Sequence, residues 1–118
     1  MPKKNEGAFS CKKNEAGNMK YFVVKTNVES LNVMTMPELV KELTDLGIDI
    51  KTPPNVTDEF QEHIQLSLKG VKRVDDMAIK TLEFLEESVD VMRIVNITDT
   101  FVFSMLKKMG FKVSMLKK

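Results

Sequence analysis

The sequence predicts an α/β fold: a small single-domain sandwich in the order (β)-β-α-β-α-α-β-α-β, closing on a C-terminal βαβ unit. Three observations carry that prediction. Valine-rich segments near each end, at 19–28 and 91–97, are apolar on both faces, as strands inside a covered parallel sheet are. Between them lie stretches with helical apolar spacing and recognisable caps. After the second segment, 13 residues separate Ile97 from Phe111, enough for a helical crossover between parallel strands. The alternative is a mostly helical fold with a small terminal sheet, in which 35–47 and 57–70 make a helix-turn-helix. The nine residues from Ile48 to Val56, two of them proline, are too long a connection for that motif.

Residues 1–18 are rich in Lys, Asn, Gly and Glu and read as a basic N-terminal arm or a hairpin strand, with 19–118 as a single α/β domain. In the hairpin version, Ala8 to Cys11 pairs with the next strand across Asn14 to Asn18. Met19 to Val28 is the first strand proper, carried by Tyr21, Phe22, Val23 and Val24. Thr35-Met36-Pro37-Glu38 has the form of a capping box with proline in the first turn. Leu39, Val40, Leu43 and Leu46 then share a helix face, and Gly47 supplies the stop. Ile48-Asp49-Ile50 alternates like a short strand, which would make 19–51 a second βαβ unit.

Thr57 with Asp58 and Glu59 reads as the start of another helix, whose stripe is Phe60, Ile64, Leu68 and Val71. Asp75 caps a helix from Asp76 to about Ser88, with Ala78, Leu82, Leu85 and Val89 inward and Glu83, Glu86 and Glu87 outward. Val91 to Ile97 is a strand. Thr98 or Asp99 caps a helix with the stripe Phe101, Val102, Met105, Leu106 and Met109, and Gly110 ends it. Phe111, Val113 and Met115 alternate with Lys112 and Ser114 in a last strand.

At 118 residues, 42% hydrophobic and 30% charged, the chain is long enough to bury a core. No apolar run approaches the roughly 20 residues of a membrane helix, and the N-terminus lacks a secretory h-region. A single cysteine, Cys11, fits a reducing compartment, and the chain is read as cytoplasmic. Cys11 precedes Lys12 and Lys13, which could lower its pKa, but the simpler reading is a packed strand thiol.

Catalytic constellations are missing. His63 and Cys11 stand alone with no HxxxH or CxxC spacing, so no metal site is expected. His63 lacks a nucleophile motif beside it, and reads as a rim histidine. The five glycines form no phosphate cradle, and no cofactor is expected. A weak small-molecule candidate is the strand end at Asn96, Thr98 and Asp99, beside free helix amides, although Asp99 already occupies the cap. The expectation is therefore a protein that is not an enzyme.

Two features point to association. The net charge of +1 is unevenly spread: residues 1–20 carry five Lys against two Glu, residues 57–100 carry ten acids against five bases, and residues 101–118 carry five Lys and no acid. Nine methionines are many, and those at 105, 109 and 115 cluster with phenylalanines. Phe103, opposite the predicted stripe, together with Met105, Lys107, Lys108, Met109 and Met115, is the candidate partner surface. The leading expectation is a protein-binding module, either a small regulator or inhibitor of a larger machine or a self-associating structural subunit. Its partner would be another protein or itself, not a membrane. The alternative is nonspecific nucleic-acid binding by the basic ends: Lys3, Lys4, Lys12, Lys13, Lys107, Lys108, Lys112, Lys117 and Lys118. With 16 Lys and 2 Arg, bidentate base readout is not expected.

Overall fold

The computed structural model describes residues 7–48 and 61–116, with residue 61 described by its backbone alone. Gly17, at φ +62°, takes a turn position that a side chain would resist, and so joins strand β1 (Phe9–Ala16) to β2 (Met19–Thr26) through two residues. The two strands pair antiparallel from Phe9↔Thr26 to Ala16↔Met19, which makes residues 9–16 a sheet strand. The chain continues through β3 (Ser30–Leu31), α1 (Met36–Asp45), β4 (Gln61–Ser67), β5 (Arg73–Val74), α2 (Asp76–Ser88), β6 (Val91–Ile97), α3 (Thr100–Lys108) and β7 (Lys112–Met115). Strands β3 and β5 form a separate two-residue parallel ladder.

The main sheet has the order β1-β2-β4-β6-β7, with β2, β4, β6 and β7 all parallel. Each crossover thus advances one strand in the same direction. Right-handed crossovers then put α1, α2 and α3 on one face of the sheet. The burial pattern agrees. Phe22, Val24 and Thr26 on β2, Ile64 and Leu66 on β4, and Met92 and Ile94 on β6 are buried. The apolar ones join Leu39, Leu43, Leu82, Leu85, Val102 and Leu106 from the helices in one core. Their alternate neighbours, among them Val23, Gln65 and Arg93, point to the other face, where no described helix lies. The α/β class and the closing parallel βαβ unit, β6-α3-β7, are as expected. The mostly helical alternative is not what the chain forms.

Four local expectations need correction. Residues 61–67, assigned to a helix over 57–70, form β4. Ile64, Leu66 and Leu68 are buried and alternate with His63, Gln65 and Ser67, so the period is two and the apparent helical stripe is coincidental. Consequently the strand that runs parallel beside β2 is β4. Ile48 is buried outside any strand, whereas positions 49–60, including Thr57 and Phe60, lie outside the described residues.

The third correction concerns the capping box at 35–38, which does not form. Thr35 makes no side-chain cap. Its Oγ1 accepts from the Asn32 amide at 2.9 Å and donates to the Asn32 carbonyl at 3.2 Å. Glu38, freed from the cap, accepts from the Ala8 amide at 2.7 Å and so ties α1 to the start of β1. A tertiary bond has replaced a local one. The fourth correction is the buried stripe of α3, which sits differently from the expectation and defines the candidate site.

Candidate functional site

Helix α3 is fixed at its start by Asp99, whose Oδ1 accepts from the Phe101 amide at 2.9 Å and the Val102 amide at 3.0 Å. Lys107 and Lys108 occupy its last turn, where cations complement the helix dipole. Gly110, at φ +96°, turns the chain into β7. Val102 and Leu106 are the buried residues of the helix, and Phe103 and Met105 pack partly against the core. Asp99, Val102, Phe103 and Leu106 therefore follow the i, i+3, i+4, i+7 line that faces the sheet. The expected stripe lay about one position away from it. Phe101 is 72% exposed and Met109 48% exposed, while Phe103 turns inward.

The outward line is Phe101, Met105 and Met109 at i, i+4 and i+8, with Lys108 at i+7. Phe101, Ser104, Met105, Lys107 and Lys108 line an open cavity of about 690 Å³. Lys107 Nζ also sits 5.7 Å from the centre of the Phe103 ring, near enough for a cation–π contact. This is an apolar patch edged by two cations, with no acid on α3 beyond its cap.

Of the six expected partner residues, the structure brings Met105, Lys107 and Lys108 around one cavity. Met109 is exposed on the same helix, and Phe103 lies partly beneath it. Met115 is elsewhere, on β7, lining a cavity of about 500 Å³ with Gln65, Val95, Asn96, Ser114 and Leu116. The residue missed was Phe101. Its i, i+4, i+8 relation to the two methionines was the available signal.

The remaining candidates are dispersed. Lys3, Lys4, Lys117 and Lys118 lie outside the described residues. Lys12 and Lys112 project on the helix-free face, whereas Lys13 alternates to the other side, 3.5 Å from Glu15. Asn96, Thr98 and Asp99 serve the scaffold. Asn96 stands at φ +57° where the β6–β7 register shifts, and its Nδ2 donates to Ser67 Oγ at 3.3 Å. Thr98 Oγ1 accepts from the Gly70 amide at 3.0 Å. Asp99 closes the amides that an anion would need.

His63 lies against Tyr21, with ring centres 5.2 Å apart, and its Nε2 is buried without a hydrogen-bond partner among the described residues. Cys11 runs opposite to lysine activation: burial, then the Glu42 and Glu38 carboxylates, push its thiol up to about 11. On α2, burial raises the Glu86 carboxyl, Lys112 opposes that rise, and Glu83 and Glu87 add to it. Among the described residues no group of three or more His, Cys, Asp and Glu is placed to hold a metal ion, and no helix is long and apolar enough to cross a membrane.

No protein-family model matches the sequence, and no curated protein matches it. Among solved structures, the chain is similar to an uncharacterised protein of the DUF3478 family from Shewanella loihica, which has a SpoIIAA-like fold. The TM-score is 0.54 at 12% sequence identity, over 100% of this chain and 93% of that one. The likeness is one of fold: a mixed α/β unit of the SpoIIAA-like kind, with a five-stranded main sheet and three helices among the described residues.

Proposed function

We propose that this protein is a non-enzymatic, protein-binding module of the cytoplasm, and that it binds through the outer face of α3. The observation that carries the reading is Phe101. A phenylalanine 72% exposed on a well-capped helix, beside Met105 and two lysines and over an open cavity, costs solubility and contributes little to the core. Aromatic anchors next to flexible methionine are what binding hot spots are made of. The cationic border selects a partner whose apolar ridge is flanked by acids. An acidic amphipathic helix fits that description, as part of a larger machine that the protein regulates or on a second copy of the chain. The acidic outer side of α2, with Phe84 43% exposed among Glu83 and Glu87, has that chemistry.

Affinity capture from the native host, run in parallel with wild type and Phe101→Asp, tests the reading. Light scattering across concentration accompanies it. The expected result is a protein, or a second copy, held by the wild type and lost with the variant while the variant keeps its melting temperature. A wild type that stays monomeric and captures nothing beyond what Phe101→Asp captures overturns it.

A further inference from the structure

The face of the sheet that carries no described helix has a chemistry distinct from α3. The strand register aligns Lys12, Val23, Gln65, Arg93 and Lys112 in one row across all five strands. Lys25 stands in the next row, beside Ser67. Lys12, Lys25, Arg93 and Lys112 are all exposed, and no described side chain on this face is acidic. Lys112, on the edge strand, also feels the Glu86 carboxylate of α2 from beyond the face, although the two make no ion pair. The row spans four strand spacings, about 19 Å. A shallow cavity of about 250 Å³ runs between Arg93, Val95, Lys112 and Ser114. Tyr21 and His63 lie tilted against each other in the neighbouring row on the same face.

We propose that this face binds single-stranded nucleic acid. Cations spread over a sheet, with amide and hydroxyl groups and aromatic rings between them, match what an unpaired strand offers: phosphates at intervals, and bases with π-faces and polar edges. The face of a sheet presents no helix or ribbon that would enter a duplex groove. The site differs from the terminal lysine clusters, because Arg93 and Lys25 come from inner strands of the sheet and the lysines of α3 do not contribute.

Fluorescence anisotropy with a labelled 12-nucleotide oligo(dT) and a mixed-sequence strand of equal length tests the proposal on the full chain. Four phosphate contacts give a log–log salt slope of about −3, or roughly a 50-fold loss of affinity between 50 and 200 mM salt. The charge-reversed pair Arg93→Glu/Lys112→Glu should bind at least ten times more weakly and with a flatter slope. The pair Lys41→Glu/Lys80→Glu makes the same change in net charge on the helix side and should bind as wild type does. All four positions are exposed, so each pair should keep the wild-type melting temperature. No binding at 50 mM salt overturns the proposal. So does equal loss in both pairs, tighter binding to the duplex, or equally tight binding of poly-L-glutamate, which would make the ligand an acidic protein.

Discussion

The two faces of the sheet are built from alternate residues of the same strands, yet they have opposite characters. On β4, Ile64 and Leu66 are buried to within 2% beneath the helices, while His63 and Gln65, one residue away, face the other side. On β6, Met92 and Ile94 are sealed and Arg93 is exposed. The helix face carries the burial that holds the fold, at about 25 cal/mol per Å² of apolar surface removed from water. The other face carries little of that burden. Its residues are consequently free to be chosen for what they contact, and the cations collect there.

The sharpest break of this contrast pairs neighbours. Leu66→Ala should cost about 3 kcal/mol, because it leaves a cavity in a fully enclosed site, whereas Gln65→Ala should stay within about 0.5 kcal/mol. Urea denaturation of the two variants checks it, and similar losses would mean that both faces are load-carrying.

Next comes the tie between the helix layer and β1. Gly7 stands at φ +66° with the Glu38 carboxylate where a Cβ would go. Gly7→Ala should therefore cost about 2 kcal/mol through backbone strain and displacement of Glu38 from the Ala8 amide. Thermal melting would show it.

Thr26 is a polar exception on the helix face: it is 6% exposed, and its Oγ1 lacks a partner among the described residues. Thr26→Val keeps the shape and removes a desolvated hydroxyl, so a gain of about 1 kcal/mol is expected in the same denaturation experiment.

The smallest effect concerns Cys11, which also points to the helix side, opposite Val24. Its thiol is raised to about 11 from 9.0, so the folded state holds the proton more tightly than the unfolded chain does. Stability from this group is complete below pH 9 and falls as pH rises through 11. The difference between wild type and Cys11→Ala across that window measures it. Alkylation at pH 8 should likewise run about a hundredfold slower than for an ordinary thiol.

How much of this was legible in the sequence depended on whether the cues were local. The unit β6-α3-β7 could be read because its strand, cap, helix, glycine stop and return strand are consecutive. Asp75 and Asp99 could be read as caps because each bonds amides two or three residues away. Residues 61–67 misled because Ile64 and Leu68 satisfy helical and strand spacing at once; Leu66 breaks the tie only when β2 and β6 lie on either side. Glu38 misled because its partner, Ala8, is 30 residues away. On α3, shifting the buried line by one position exchanges Phe101 for Phe103, and amphipathic spacing alone does not resolve such a shift. The cationic row was invisible for a stronger reason: its members come from five strands and meet only through register.

Strand β1 forms one border of the described sheet, eight residues long, with an outer rim of backbone amides and carbonyls that no described strand covers. Such a rim invites a second chain to extend the ladder, the first step toward aggregation. Lys12 and Lys13 sit at its middle. If two rims met head to tail about that midpoint, lysine would oppose lysine, and the repulsion would discourage the union. In that arrangement the basic pair would be a fender between crowded copies, set against their zipping together through their flanks.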